Sequence, residues 1–412
     1  MSQTELQDPA TGMSLTRDPS DPRFYTEANR RAYLDIHREC PIYWVDARFT
    51  QPFWNVCRHD LIRDVGNNVE AFTTEFGVHL NGAAFTLKDA EAPSVMQTLP
   101  VALRPANIMD ATSHRRLRTP LNRYFRPTSI AKMTGAVRHS ITTILDAVEE
   151  NQEVDFVEVF ANRVPLLVTT ELLGVSTDRE QDFKTWANTI LESFEPGATP
   201  DFDALANMVA FFAAEVDSRG VSPREDDLVS SLIHSGFQRD EVVMWCWLLL
   251  VAGLETTGNL IAAGAHLLLR DLRNRDHLVA EPARVRSAVA EMLRVITPGR
   301  YIRRTAAVDI DLGGQAIKKG DAVVMNFTVA NFDPEMFADP LVFDLDRNPD
   351  PHLAFSWGPH RCVGQSLALL ESVIAFEEFL ARFPNSELRG AAVFRPSLAT
   401  AVVESLPVVF KS

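Results

Sequence analysis

The stretch from Asp240 to Arg270, DEVVMWCWLLLVAGLETTGNLIAAGAHLLLR, is apolar on nearly every helical face. A helix without a polar stripe has to lie inside other protein or inside a membrane. Its longest apolar run, Val242 to Leu254, is too short to cross a bilayer and leads straight into Glu255. The chain is therefore expected to wrap this segment as a buried central helix. A carboxyl in such a place is costly unless it is paired or used. Thr256 and Thr257 follow it directly. Gly253 and Gly258 weaken the helix locally, and threonine hydroxyls compete for its carbonyls, which predicts a widened or kinked turn that admits water. A threonine-stabilised kink without chemistry is the plainer alternative.

A second constraint is Cys362, in the stretch Phe355 to Gly364, FSWGPHRCVG. Pro349, Pro351, Trp357, Gly358 and Pro359 argue for an irregular loop. Beyond it Leu367, Leu370, Ile374, Phe376, Phe379 and Leu380 recur at helical spacing. Cys362 thus stands where a loop enters a long helix, and the helix N-terminus lowers a thiol pKa. That suits a metal ligand or a nucleophile. A lone cysteine is most often a small buried hydrophobe. Here, however, Gly358 and Gly364 bracket it and leave room for something large and flat, Phe355 offers an aromatic wall, and His360 and Arg361 add donors and charge. A Cys362–His360 dyad is disfavoured, because loop geometry points such near neighbours apart.

Composition narrows the class. The 412 residues show no Ser/Gly-rich linker, charge block or repeat, so one large domain over residues 21–412 is expected after a disordered, polar segment at 1–20. A net charge of −15 argues against nucleic acid as a partner. Four scattered cysteines, Cys40, Cys57, Cys246 and Cys362, suit neither a disulfide framework nor a structural zinc site. The polar N-terminal sequence reads as neither signal peptide nor membrane anchor, so a cytoplasmic protein is expected.

In chain order, helical patterns are expected over Asn29–Arg38, His59–Val65, Ile130–Val148, Phe156–Leu173, Asp178–Phe194 and Phe202–Arg219, with a hairpin between Cys40 and Val56. A turn is expected over Pro196–Pro200, and Phe194, Phe211 and Phe212 face either a substrate or the core. Residues 77–108 lack periodicity, as lids and disordered segments do. Asp110 or Thr112 caps a helix carrying His114 and Arg118 on one face, with Pro120 expected to kink or shorten it. Glu291 and Arg294 are three apart on a helix starting near Pro282. Pro298 ends that helix, and alternation through Val308, Ile310, Leu312, Ala322 and Val324 suggests a small sheet.

Phe355, Gly358, His360, Cys362 and Gly364 fill the pattern F-x-x-G-x-H/R-x-C-x-G, and this segment resembles the haem-binding loop of the cytochromes P450. Ala252-Gly-Leu-Glu255-Thr256-Thr257 is similar to the family's A-G-x-D/E-T-T oxygen-activation motif, and Glu291-Met-Leu-Arg294 to its E-x-x-R. The resemblance implies a mainly α fold with a large helical region and a small β-rich region. It implies haem b held by the Cys362 thiolate, whose electron donation favours O–O cleavage. His114, Arg118 and either Arg304 or Arg303 would meet the propionates. Glu255 and Thr256 would form an acid–alcohol pair that relays protons. Glu291, Arg294 and Arg347 would lock the core, and residues 77–108 would cover substrate. Leu248, Val251, Ala252, Gly299, Ile302 and Leu398 would line an apolar site, with Arg300 meeting a substrate group or solvent.

Hydroxylation of a hydrophobic small molecule with O2 is the implied outcome. Electrons would come from a separate ferredoxin docking on Arg115, Arg116, Arg123, Arg126 and Arg361, since no Gly-rich phosphate loop of a fused reductase is present. A peroxygenase is disfavoured by Glu255 and Thr256. Oxidative coupling on the same centre, and a non-enzymatic haem carrier or sensor, stay open.

Overall fold

The computed structural model describes residues 6–7, 14–80, 104–198, 201–224, 227–347 and 351–412. Residues 81–103 of the expected lid and 199–200 of the expected turn lie outside the described residues. The fold is mainly helical, with several small sheets. The buried apolar cluster runs from Phe24 to Phe410, so both ends of the chain contribute to one core.

Helix α1 (Arg30–Glu39) buries Ala32, Tyr33 and Ile36 at helical spacing. Strands β1 (Ile42–Val45) and β2 (Phe53–Val56) pair antiparallel, as the expected hairpin. Helix α2 (His59–Asn67) follows, then β3 (Phe72–Thr73). With β4 (Tyr301–Ala306) and β5 (Ala322–Asn326) these strands form a five-stranded sheet in the order β1-β2-β5-β4-β3, in which only β2 and β5 run parallel. Residues 16–20, expected to be disordered, are instead tied down. Asn29 exchanges hydrogen bonds with the Thr16 backbone, and Ser20 is fully buried.

Helix α3 (Ala111–Asn122) is capped by Asp110, whose carboxylate accepts from the Thr112 and Ser113 N–H groups, so Asp110 rather than Thr112 is the cap. Pro120 sits inside it without ending it; the helix runs on to Asn122. Helices α5 (Arg163–Leu173), α6 (Glu180–Glu192) and α7 (Phe202–Val221) pack on the central α8 (Arg239–Arg270), and α4 (Thr134–Asp146) packs on α5. Phe211 packs on Phe183 within the α6–α7 pair and Phe212 is fully buried, so both belong to the core.

Helix α8 begins with a reciprocal capping box between Gln238 and Glu241 and continues unbroken through Gly253 and Gly258. The expected widened or kinked turn does not end the helix. Gly258 has a packing reason instead, since a Cβ there would lie 2.6 Å from the Asn162 side chain. By composition α8 could cross a membrane, but most of it is buried inside this fold.

Helix α9 (Val285–Ile296) carries Glu291 and Arg294, both fully buried. Arg294 donates twice to Glu291 and also to the carbonyls of Asn331, Pro340 and Val342. Arg347 adds a 3.1 Å bond to Glu291. The expected triad is therefore assembled, and its cation satisfies carbonyls of a long irregular stretch that has no ladder of its own. Thr297, held in the left-handed region at φ 47°, turns the chain out of α9.

Removing one partner leaves a buried charge unpaired. Glu291→Ala is expected to cost about 3–5 kcal/mol, read as a lower urea midpoint, with the irregular stretch 331–347 exchanging its amides first.

Candidate functional site

Cys362 lies immediately before helix α10 (Gln365–Arg382), as its position in the sequence requires. Its N–H donates to the Phe355 carbonyl at 2.9 Å, and Arg361 N–H to Gly358 O at 3.0 Å, closing the loop into a tight hairpin-like bend. Gly358 adopts φ +80°, and a Cβ on it would lie 2.1 Å from the Gly66 carbonyl. Its lack of a side chain therefore serves a backbone contact with the end of α2, not the approach of a large group to the thiol. Gly364 is different: a Cβ there would meet only the Cys362 sulfur, at 3.9 Å, and so leaves space beside it. Phe355 is buried, with its ring near His352.

The Cys362 side chain has open surface yet is surrounded by protein, so it faces an internal space rather than bulk water. Burial pushes its thiol pKa up. The N–H groups of Gly364 and Gln365 and the charges of Arg118 and Arg361 pull it down, but less. The local features expected to favour a thiolate are thus present, and burial outweighs them.

Beside the thiol, His114 from α3 and His360 from the loop stack with ring centroids 3.8 Å apart. Burial, with Arg118 and Arg304 nearby, holds His114 at about 4. Burial, Arg304, His114 and Arg118 hold His360 at about 2. Arg118 bonds the Arg361 carbonyl at 2.6 Å and Asn122. Arg304 is fully buried, its pKa lowered by burial to about 10, and its Nε and Nη2 have no partner. His360 Nδ1 is likewise buried and unpartnered. Strand alternation sends Arg303 to the opposite face, where it bonds Phe76 O and Thr305, so Arg304 is the arginine of this cluster. No carboxylate among the described residues enters the electrostatic surroundings of His114, His360, Arg118 or Arg304.

Midway along the mostly buried helix α8, Leu248, Ala252, Glu255 and Thr256 carry open surface on one side, with Gly253 beside them. A stripe of that spacing on a buried helix faces an internal space. Thr256 donates its hydroxyl proton to the Ala252 carbonyl at 2.9 Å. Glu255 instead accepts from Thr400 at 3.3 Å, so the two do not bond each other. Burial pushes the Glu255 carboxyl up to about 7; Arg395 and the Thr400 hydroxyl pull it down, and Glu195 and Glu192 push it further up.

Gly299 and Ile302 are half-buried. Val251 and Leu398 are packed in the core, one helical step off the stripe and 0% exposed respectively, and so offer little or nothing to a ligand. Arg300 meets neither solvent nor an open site: it is buried over the Tyr25 ring and donates to the Ser397 carbonyl.

Residues 181–393 match the family model for cytochrome P450. The chain is 33% identical over 308 residues, 73% of its length and 76% of the relative's, to the polyketide biosynthesis cytochrome P450 PksS of Bacillus subtilis. It is 34% identical over 374 residues, 86% and 84% of the two chains, to a methyl-branched lipid omega-hydroxylase of Mycobacterium bovis. Its structure superposes on that of CYP105P1 in complex with filipin I with a TM-score of 0.84, 26% identity and 99% of each chain covered.

The chain is a cytochrome P450.

P450 monooxygenases use haem b held by a cysteine thiolate. The residues present fit that group: an enclosed thiol with open space beside it, and next to it an unbalanced set of cations whose orphaned N–H groups need an anion such as a propionate. Sequence reasoning missed Asn331, which positions the P450 loop. Its side chain accepts from Leu353 N at 2.7 Å and donates to Thr297 at 2.8 Å, while its carbonyl takes Arg294. Nothing in its local sequence marks it, because its partners lie 22 to 37 residues away.

Replacing Arg304 removes a charge-assisted hydrogen bond of about 1.5–3 kcal/mol, so Arg304→Met is expected to release haem to apomyoglobin about tenfold faster or more. Glu255 carries a pKa raised from 4.5 to about 7, so the folded state holds its proton more tightly than the unfolded chain. Its burial is tolerated below about pH 4.5 and costs increasing stability as the pH rises to about 7. Glu255→Gln is therefore expected to gain urea resistance over the wild type across that interval and to keep the gain above it.

Proposed function

We propose that this P450 hydroxylates an apolar small molecule of the lipid, steroid or polyketide kind, in the cytoplasm, with electrons from a separate iron–sulfur ferredoxin. The observation that carries the reading is the one open stripe on α8, where Leu248 and Ala252 offer hydrocarbon surface directly beside Glu255 and Thr256. The names of the relatives support the substrate class: one serves polyketide biosynthesis, one hydroxylates a methyl-branched lipid, and one structural neighbour holds filipin I.

Residues 21–412 act in this reading as a single haem domain. Cys362 would hold the haem iron, with Phe355, Gly358 and Gly364 shaping its loop, and His114, Arg118, Arg304 and His360 would take the propionates. Bound haem supplies the oxidising chemistry that places one atom of dioxygen on a carbon. The chain's own share is to exclude bulk water, hold the substrate on the apolar stripe and deliver protons. Glu255 is suited to delivery because a carboxyl near 7 both gives and takes a proton at neutral pH. Thr256, its hydroxyl fixed by the Ala252 carbonyl, presents an oxygen to the same space, and a water between the two completes the relay.

Of the arginines expected on the cysteine side, Arg115, Arg116, Arg123 and Arg126 are exposed and Arg361 is half-buried. Arg116 is partly engaged by Glu241. A basic face on a chain of net charge −15 suits an acidic redox partner.

A panel of steroids, branched fatty acids and macrolides, titrated while the haem absorption is followed from low to high spin, tests the substrate class. At least one member is expected to shift the spectrum and yield a hydroxylated product; a panel that produces neither overturns the reading. Thr256→Ala is expected to divert electrons to hydrogen peroxide, severalfold more per electron than wild type, with product falling in step. Reduction by an acidic ferredoxin is expected to slow about tenfold between 50 mM and 500 mM salt, through loss of electrostatic steering, and Arg115→Glu to give much of that loss at low salt.

A further inference from the structure

The chain just after α6 carries Glu195, which sequence reasoning did not single out. Its carboxylate accepts from the Ser397 hydroxyl, from Leu398 N–H at 2.9 and 3.1 Å and from Ala399 N–H at 3.4 Å. The turn it grips is also held from the chain just before β4. Arg300 donates its N–H to Ala399 O at 3.0 Å and its guanidinium to Ser397 O, and Gly299 bridges to Thr400. Ser397 in turn accepts the Thr400 N–H at 3.2 Å. The last residue of the turn, Thr400, gives its hydroxyl to Glu255 at 3.3 Å. One carboxylate just past the end of α6 and one carboxyl inside α8 thus hold opposite ends of the same four buried residues.

We propose that Glu195 is a positioning residue for Glu255, acting through the Ser397–Thr400 turn, so that the end of α6 and the acid on α8 are mechanically one unit. This rests on the reading of Glu255 as a proton-delivering group, but the contact chain itself does not. Two features separate it from an ordinary turn cap. First, Arg300 holds the carbonyls of Ser397 and Ala399 while Glu195 takes the N–H groups of Leu398 and Ala399, so the turn is joined to two different elements at once. Second, a carboxylate so placed pushes the neighbouring Glu255 towards its protonated form, a charge effect that a neutral cap would not have. The other groups acting on Glu255 are Arg395 on strand β6 (Val393–Arg395), which is itself paired with Glu404, and Glu192 on α6. A substrate that displaces the end of α6 would then loosen Thr400 and change the hydrogen bond on the acid, linking fit over the substrate to proton supply.

The test uses the holoenzyme and an infrared difference band of the Glu255 carboxyl, assigned by its loss in Glu255→Gln. Thr400→Val removes the donor directly and is expected to shift that band. Glu195→Ala is expected to shift it in the same direction and to speed amide exchange at Leu398 and Ala399 about tenfold. Glu195→Gln, which keeps an acceptor oxygen but not the charge, is expected to restore the band position and the slow exchange while the band titrates at a lower pH than in the wild type. In the Thr400→Val background Glu195→Ala should add nothing to the band shift. An unmoved band in Glu195→Ala, or an equal further shift in the double variant, overturns the proposal. The proton-delivery reading is judged separately, by peroxide release in Thr256→Ala.

Discussion

A buried cation needs an anion within reach, and among the described residues the cluster of Arg118, Arg304 and the neutral imidazoles of His114 and His360 holds no carboxylate. The members come from α3, from β4 and from the loop before α10, three parts of the chain separated by up to about 250 residues, a span that Arg118 and the Arg361 carbonyl bridge directly. Each is delivered by its own support: the Asp110 cap for α3, the central sheet position for β4, and Asn331 with the Gly66–Gly358 contact for the loop. Such an arrangement is unfavourable by itself and becomes favourable when a propionate-bearing group enters. The folded P450 is thereby prepared for its cofactor at a cost in stability that the cofactor offsets.

The central helix works by a similar economy. Most of α8 is used for packing, and the open positions midway along it include Glu255 and Thr256. A carboxyl kept near neutrality needs partial burial and a single weak donor, which Thr400 provides at 3.3 Å. Stronger pairing would have fixed it as a carboxylate and removed its value as a proton carrier.

Where reading from the sequence failed, it failed at contacts. Val251 and Leu398 have the right chemistry for a ligand wall, yet helix rotation and the depth of the 397–400 turn put both in the core. Arg300 looked like a charge exposed to a ligand or to water and is instead folded over Tyr25. The glycines of α8 looked like weak points, but Gly258 is small because Asn162 crosses there, and surrounding packing keeps the helix whole. Glu195 and Asn331 were invisible because a single glutamate or asparagine has no local signature, and their partners are distant in sequence.

The sequence by itself determined what depends on neighbours along the chain. Apolar spacing made α8 and α10 helices, proline and glycine made the loop before Cys362, and a spacing of three residues put Glu291 and Arg294 on one face. Periodicity and turn chemistry are local, so they survive without any knowledge of the fold. Only the tertiary structure decided which side of β4 faces the cation cluster, that the thiol opens inward, and that Glu255 answers to Thr400 rather than to Thr256. Those outcomes depend on how rigid elements cross and rotate against one another, and a rotation of one residue on a helix redirects a side chain by about 100°.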